Sequence, residues 1–504
     1  MIRLAVDVAV IGSGFSGSLL ALMLHRVGRR VVLLEKGQHP RFALGESSTP
    51  LTNLALEEVA RDYDLPWLAS LAEYGSWKKD FPQIPSGLKR GFTFAWHQPG
   101  RPFEPRPDHA TELLVAASLD DETSDTQWLR SDFDQLVARQ AVAAGVPYFD
   151  RTHLSELDPG PPWRLRGNRV GDGDGVGEGE VVDITASFVV DASGFDGALI
   201  KALGIESSPD EMHTRSWSVY THFTGLEHWA DVQIELGADL FAHPYRCDDS
   251  TLHHVFIDGW MWVIPFDNGV TSAGALFDPR RRPPDPTRSP AQEWEAAVSQ
   301  FPSVARQFRN AQPILEWRRT GIIQRRARRA VGPNWALVSS AAYSLDAMFS
   351  TGNAHALLTV QRLARLIERH LGKASLAEEL SRYEASLQRE IDFLDRIVNG
   401  CYLSFGCFPL FAAWTMYYFA GAIAAEHRRR DGSATENEEF LSSHIPVFRE
   451  RVLSAYEELQ RLACAGTPTN AEVRAFERRA AHDIAPWNVV GLGDPAKMNM
   501  YPYG

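Results

Sequence analysis

The pattern Gly12-Ser13-Gly14-Phe15-Ser16-Gly17 leaves the beginning of this chain little choice of fold. Val6–Ile11 before it is short, apolar and β-rich, the signature of a buried parallel strand, and Ser18–Val27 after it is an apolar helical run. Arg30–Leu34 reads as a second strand, ending at Glu35, an acid 23 residues beyond Gly12. Strand, glycine turn, helix and strand make one βαβ unit, and that context turns a common motif into a dinucleotide fingerprint. Gly12 allows the tight turn. Gly14 lets backbone approach a pyrophosphate at the helix N-terminus, and Gly17 permits close helix–strand packing. Glu35 is placed to accept hydrogen bonds from ribose hydroxyls. The apolar start is no secretory leader, because Arg3 and Asp7 interrupt it and it runs straight into the glycine turn.

The rest of the chain reads less regularly. Gln127–Ala143 has helical periodicity, and Phe188–Asp191 is another apolar strand, closed by Ala192-Ser193-Gly194. Residues 211 to 277 alternate in polarity, which predicts a mostly antiparallel sheet. Trp335–Ser339 is strand-like, Ala354–His370 helical, and the chain beyond about residue 375 is helical. The uncharged run Cys401–Ala425 is long enough to span a bilayer, but Gly406, Pro409 and Gly421 interrupt it, so a buried helix pair is expected. The Gly/acid stretch Val170–Asp183 reads as a hairpin tip. Asp172, Asp174 and Glu178 there suggest a calcium loop, yet Val176 stands where a ligand belongs. His253 and His254 point to opposite sides of a strand, against a metal pair. With four scattered cysteines no disulfide framework or zinc spacing is expected, and a reducing cytoplasm is the simplest location. A net charge of −13 gives no basic field, so nucleic acid is excluded as a partner.

Three further stretches separate FAD from NAD. Arg41 with Gly45-Glu46-Ser47 is a polar segment just after the second strand. Trp128-Leu129-Arg130-Ser131-Asp132-Phe133-Asp134 resembles the helix start of flavoprotein monooxygenases, and Val190-Asp191-Ala192-Ser193-Gly194 resembles their D-A-S/D-G turn. Gly259-Trp260-Met261-Trp262-Val263-Ile264-Pro265 then narrows the class, for it resembles the W-x-W-x-I-P signature of flavin-dependent halogenases. Leu345-Asp346-Ala347-Met348-Phe349-Ser350-Thr351-Gly352 is similar to the family's D-P-x-x-S-[ST]-G segment, with Ala347 in place of proline. The family's preceding Gly-Asp is here Ser339-Ser340, so the aspartate that contacts the ribityl chain is missing.

The resemblance implies an α/β fold, an FAD-binding Rossmann-like core of the aromatic-hydroxylase type. An inserted mostly antiparallel sheet and a helical C-terminal region complete it. Residues 1–370 form the core, with the substrate-side sheet at about 211–277, and residues 371–504 cover the substrate pocket. Cofactor contacts are expected from Gly12, Gly14, Phe15, Ser16, Gly17, Glu35, Lys36, Arg41, Ser47, Arg130, Asp191, Ala192, Gly194 and Asp346. Chloride or bromide should bind the amides of Thr351 and Gly352, at a turn before a helix. The stretch Leu88–Trp96 resembles the one carrying the family's active-site lysine, which makes Lys89 the candidate and Lys78 and Lys79 its rivals.

The resemblance also implies a reaction. Reduced FAD and O₂ convert halide to hypohalous acid, which reaches Lys89 through a tunnel; Lys89 forms a chloramine or orients the acid, and an electron-rich ring attacks the halogen. Trp260, Trp262, Ile264 and Pro265 keep substrate away from the flavin. Phe349 replaces the glutamate of tryptophan halogenases, so a phenol is expected rather than tryptophan. Glu46 is a possible contributor to catalysis, with flavin positioning as its other role. Expected partners are a small aromatic substrate and a separate NAD(P)H-dependent flavin reductase; a homodimer is left open. The alternatives are a single-component aromatic monooxygenase or a non-catalytic flavoprotein.

Overall fold

The computed structural model describes residues 1–171, 179–436 and 438–504. The calcium reading at Asp172, Asp174 and Glu178 lies outside them. The strands flanking that stretch, Trp163–Arg169 and Glu180–Asp191, pair antiparallel, with Arg169 opposite Glu180.

A parallel sheet carries the N-terminal motif. In spatial order it runs Trp335–Leu337, Glu180–Asp191, Ile2–Ile11, Val31–Leu34 and Tyr148–Phe149. The register sets Ile11 beside Leu34 on one side and Asp191 on the other, and Asp191 beside Leu337. Four carboxyl ends therefore finish level, and Gly12, Glu35, Ala192 and Val338 emerge together into one crevice. Ligands of open α/β sheets bind at such an edge. The helix Phe15–Arg26 leaves the crevice buried almost all round, packed by Arg130–Ala143 and Thr351–His370. Arg130–Ala143 starts later than the periodicity predicts. Asp125–Trp128 is instead a strand, paired with Ser86–Lys89, and it puts Lys89 opposite Asp125.

A second sheet lies beside the first. Its order is Trp217–Thr224, Thr271–Phe277, Gly259–Pro265, Thr251–Phe256, Gly91–Trp96, Glu112–Ala116 and Met500–Tyr501. The alternation at 211–277 thus belongs to a sheet that also recruits residues near 90, near 114 and near 500. Thr251–Phe256 and Gly91–Trp96 run parallel, and the other pairings among 217–277 are antiparallel. Period-two alternation divides the faces. Phe92, Phe94, Val255, Trp260, Trp262 and Ile264 join the core shared with the parallel sheet, whereas Ala95, Leu252, Phe256, Met261 and Val263 pack into a second core behind. Gly274 makes room for the signature: a Cβ there would lie 2.2 Å from the Trp262 ring.

The C-terminal region is helical, with Leu376–Ser404, Phe408–Arg430, Pro446–Ala465 and Asn470–Ile484. The uncharged run breaks at Phe405-Gly406-Cys407, and Pro409 opens the next helix. Phe408–Arg430 is long and apolar enough to cross a membrane, but it is mostly buried against the rest of the chain. Trp414 packs where Gly400 would otherwise carry a Cβ, 2.1 Å away, and donates to the Ile397 carbonyl at 2.8 Å.

Glu390 ties this region to the core. It accepts from His355 at 2.9 Å, from Arg362 at 3.0 and 2.6 Å, and from the Phe440 amide at 2.6 Å. Burial raises its pKa, but Arg362 and His355 together hold it below the usual carboxylate range. A depressed folded-state pKa contributes stability above the unfolded value, near 4.5, and loses it as pH falls toward the folded one. Glu390→Gln should cost about 3–5 kcal/mol, because it strands a buried arginine. Denaturant unfolding at pH 7 measures the loss, and the difference between variant and parent should shrink in acid.

Candidate active site

The three motif glycines do different work. A Cβ on Gly12 would meet the Ala192 carbonyl oxygen at 2.4 Å, and Gly12 sits at φ +103°. One on Gly17 would meet the Gly12 carbonyl oxygen at 1.9 Å. Both positions are closed by the protein's own backbone. Gly14 is open: a Cβ there would have Asp134 at 3.6 Å, Arg41 at 3.7 Å and Arg130 at 4.0 Å as its nearest neighbours. Two guanidinium groups thus converge over a bare backbone at a helix N-terminus. Arg41 Nε is buried without a partner. This donor set fits a pyrophosphate.

Glu35 lies at the adenosine end of such a ligand. Its carboxylate accepts from the Ser13 amide at 2.9 Å, the Ser13 hydroxyl at 3.0 Å and the Gly37 amide at 2.8 Å, with Arg41 at 3.4 Å. Burial raises its pKa, and Arg41 with these bonds lowers it further than burial raises it, so it stays ionised. Phe15 and Ser16 are buried in the first turn of the helix, with Phe15 under the Arg130 guanidinium at 4.7 Å, and Lys36 is exposed. Asp191 spends its carboxylate inside its own turn, on the amides of Ser193 and Leu199, at 2.9 and 2.7 Å. Gly194, at φ +66°, has its carbonyl held by Arg325.

Arg130 forms a two-pronged pair with Asp134, at 2.8 and 2.9 Å, and turns its remaining nitrogen to the Leu44 and Gly45 carbonyls. Asn353 grips the same loop, donating to the carbonyls of Gly45 and Ser47 at 2.8 and 3.0 Å. Ser47 bonds Thr251 at 2.8 Å, and Glu46 is buried against His222 at 3.0 Å. The loop is therefore fastened to the first helix layer, to Thr351–His370 and to the second sheet. Asn353, Thr251 and His222 were not singled out from the sequence. They are isolated polar residues on regular elements, with no local spacing to mark them.

The helix Thr351–His370 begins after Ser350, which takes the left-handed conformation at φ 54°. Its first amides, those of Thr351 and Gly352, have no acceptor within the helix. Nothing lies within 4 Å of a Cβ built on Gly352, so the turn faces open space. Asp346 locks this loop to the signature strand: it accepts from Trp260 at 3.1 Å, Ser216 at 3.0 Å, Tyr402 at 2.6 Å and the Met348 amide at 3.0 Å. Burial pushes its pKa up to about 6 in spite of those donors. Trp262 donates to Ser272 at 3.1 Å, and the Pro265 end of the strand abuts Gly87, beside Lys89. Ser339, where the family carries glycine, accepts from Thr359 at 3.1 Å within the core. Phe349 is buried and stacks on Tyr418 with ring centroids 4.1 Å apart.

Lys89 is fully buried. Its ammonium donates to the Ser48 carbonyl and lies 4.0 Å from the centre of the Phe92 ring. Burial brings its pKa down to about 8, with Asp125 resisting the fall. The rival lysines are elsewhere: Lys78 is partly exposed and paired with Asp267, and Lys79 is exposed. Phe92 lines a mainly apolar cavity, together with Thr49, Tyr418, Phe419, Glu426 and Tyr503. The Thr351 turn reaches this cavity through Phe349 and Tyr418, and Lys89 reaches it through Phe92.

On the far face of the second sheet, His109, Glu112 and His243 come together. Glu112 accepts from the two imidazoles at 2.7 and 3.3 Å and from Gln233 at 2.7 Å, so its bonds are complete without an ion.

A Rossmann-like crevice that fits a dinucleotide defines an enzyme with a nucleotide cofactor, and the comparisons say which kind. A family model described as tryptophan halogenase matches residues 174–403, and one described as an NAD(P)-binding Rossmann-like domain matches residues 10–80. Tetracycline 7-halogenase of Kitasatospora aureofaciens is 30% identical across 98% of this chain and 90% of its own length. Monodechloroaminopyrrolnitrin halogenase PrnC of Pseudomonas fluorescens is 29% identical over 84% of this chain and 72% of its own. The crystal structure of halogenase PltM in complex with phloroglucinol and FAD superposes with a TM-score of 0.86, at 22% identity, covering 98% of this chain and 99% of that one. The chain belongs to the flavin-dependent halogenases, and it is an FAD-dependent enzyme of that family.

Proposed function

We propose that the protein is a two-component halogenase that chlorinates or brominates a small phenolic ring. Reduced FAD from a separate flavin reductase, O₂ and halide are its co-substrates. The observation that carries the reading is Lys89, buried from water against Phe92, which itself lines an apolar aromatic cavity. Bound FAD supplies the two-electron oxidation of halide by O₂. Gly14, Arg41, Arg130 and Glu35 hold it, and the loop 44–47 positions its flavin end. The Thr351 and Gly352 amides hold the halide. Trp260 and Trp262, locked by Asp346 and Ser272, keep the ring out of the crevice. With a pKa of about 8, Lys89 is mostly protonated at pH 7, so it can give a proton to the hydroxide that leaves hypohalous acid. Water exclusion preserves the reactive halogen. Residues 1–370 act as the cofactor and halide core, and 371–504 as the cover of the substrate cavity, in a reducing cytoplasm.

Phenol-type substrates are supported by Phe349, by the apolar cavity, and by neighbours whose names include a tetracycline and phloroglucinol. An indole N–H left unpaired in such a cavity costs about 1–3 kcal/mol, or roughly five- to a hundred-fold in specificity. Di- and trihydroxybenzenes should therefore be halogenated faster than free tryptophan under identical flavin supply, as read by mass spectrometry of the products. Equal turnover of tryptophan would overturn the phenol assignment and leave the family standing.

A further inference from the structure

A phenolic substrate calls for a base, and Glu46, the acid that the sequence offers, is held by His222 at 3.0 Å. We propose that Asp125 is that base: a catalytic residue that takes the phenolic proton while Lys89 protonates the departing oxygen of hypohalous acid. The inference rests on the reading of Lys89 and a phenolic substrate given above.

Lys89 and Asp125 are direct partners on adjacent antiparallel strands, so their side chains stand on the same face of that ribbon. Asp125 is buried, and Asn53 fixes one carboxylate oxygen at 2.8 Å. The other oxygen is buried with no partner. Among the described residues no ion pair joins Asp125 to Lys89, whose ammonium is taken by Ser48. A buried carboxylate oxygen without a donor is costly, and a lysine that does not close on it leaves the oxygen available to a third party. The charged and titratable groups that face Asp125 are Lys89, Glu426, Arg430, Tyr418 and Tyr503. Glu426, Tyr418 and Tyr503 also line the cavity, so the pocket wall and this carboxylate share neighbours. Glu426 is a poorer candidate, because Arg430 already holds it at 3.0 Å. Burial, with Glu426 adding to it, lifts the pKa of Asp125 to about 7 against the pull of Lys89, which suits proton exchange at neutral pH.

The balance closes. The phenolic O–H gives its proton to Asp125, and the ring carbon of the phenolate attacks the halogen. The O–halogen bond breaks with its electron pair on oxygen, and the hydroxide takes a proton from Lys89 to become water. The ring proton moves to the phenolic oxygen and restores the aromatic ring. Asp125 then returns its proton to Lys89. The sum is phenol plus hypohalous acid giving halophenol plus water.

The test uses Asp125→Asn, which keeps the shape and the bond from Asn53. With a neutral phenol, turnover should fall about 10²–10⁴-fold while reduced-FAD consumption is unchanged. With a nitrophenol already ionised at the assay pH, the loss should stay below about tenfold, since no base is needed. Equal losses on both phenols, or none on the neutral one, would overturn the proposal. In the unaltered protein the neutral phenol should show a bell-shaped pH profile, whose two apparent values belong to the Asp125–Lys89 pair. The acidic limb should survive Glu426→Gln. Its absence in the unaltered protein, or its loss in Glu426→Gln, would also contradict the assignment, and this holds even if Asp125→Asn does not fold. Lys89→Ala should lose both phenols alike; if it does not, the reading of Lys89 fails rather than that of Asp125.

Discussion

Lys89→Ala should abolish halogenation, by at least about 10²-fold, while reduced FAD is still consumed by O₂ at the parent rate. On the reading proposed above, the flavin crevice is built from Gly14, Arg41, Arg130 and the loop 44–47, and none of their contacts runs through the lysine side chain. Oxidised halogen should then escape, and a chlorinatable scavenger in solution would trap it. Lys89→Arg should fail as well, because a guanidinium is too basic to give up a proton near neutral pH. Lys78→Ala breaks a partly exposed pair with Asp267 and a long bond to Ser86, and Lys79→Ala removes a solvated charge, so both should keep most activity. Comparable product from Lys89→Ala would show that another group delivers the halogen.

Gly14→Val should remove FAD binding from a protein that still folds. A Cβ on Gly14 would make only ordinary contacts, at 3.6–4.0 Å, with the side-chain ends of Asp134, Arg41 and Arg130, and no backbone closes the position. The new side chain occupies instead the place where two guanidinium groups converge. Losing two charge-assisted contacts costs about 3–6 kcal/mol, roughly 10²- to 10⁴-fold in Kd. Gly17→Val makes the contrast, since its Cβ falls 1.9 Å from the Gly12 carbonyl oxygen and the helix cannot dock. Flavin fluorescence titration with circular dichroism separates the two outcomes. Retained FAD affinity in folded Gly14→Val would move the pyrophosphate elsewhere.

Local patterns carried the parts of this fold that neighbours in sequence decide. The βαβ unit was legible because its glycines, apolar strand and terminal acid lie within about thirty residues. The tryptophan strand was legible because two tryptophans and a proline at fixed offsets are rare. Lys89 was legible only through its resemblance to a family stretch; its burial depends on Phe92, Ser48 and the strand Asp125–Trp128. The last two residues of that strand, Gln127 and Trp128, read as the start of a helix, since the apolar spacing of Trp128 and Phe133 continues into Arg130–Ala143. Asp125 was missed because its partner is 36 residues away in sequence, and only strand pairing brings the two together. The breadth of the second sheet was hidden for the same reason. The parallel pairing of Thr251–Phe256 with Gly91–Trp96 and the return of Met500–Tyr501 are long-range, and no local period announces them.

The central claim, halogenation rather than hydroxylation of a phenolic ring, is tested most directly by product mass. The protein is incubated with a flavin reductase, NADH, FAD, bromide and a trihydroxybenzene under air. The account predicts a brominated product with the bromine isotope doublet, dependent on the reductase. A hydroxylated product, or substrate-dependent NAD(P)H oxidation by the protein with no reductase added, would contradict it.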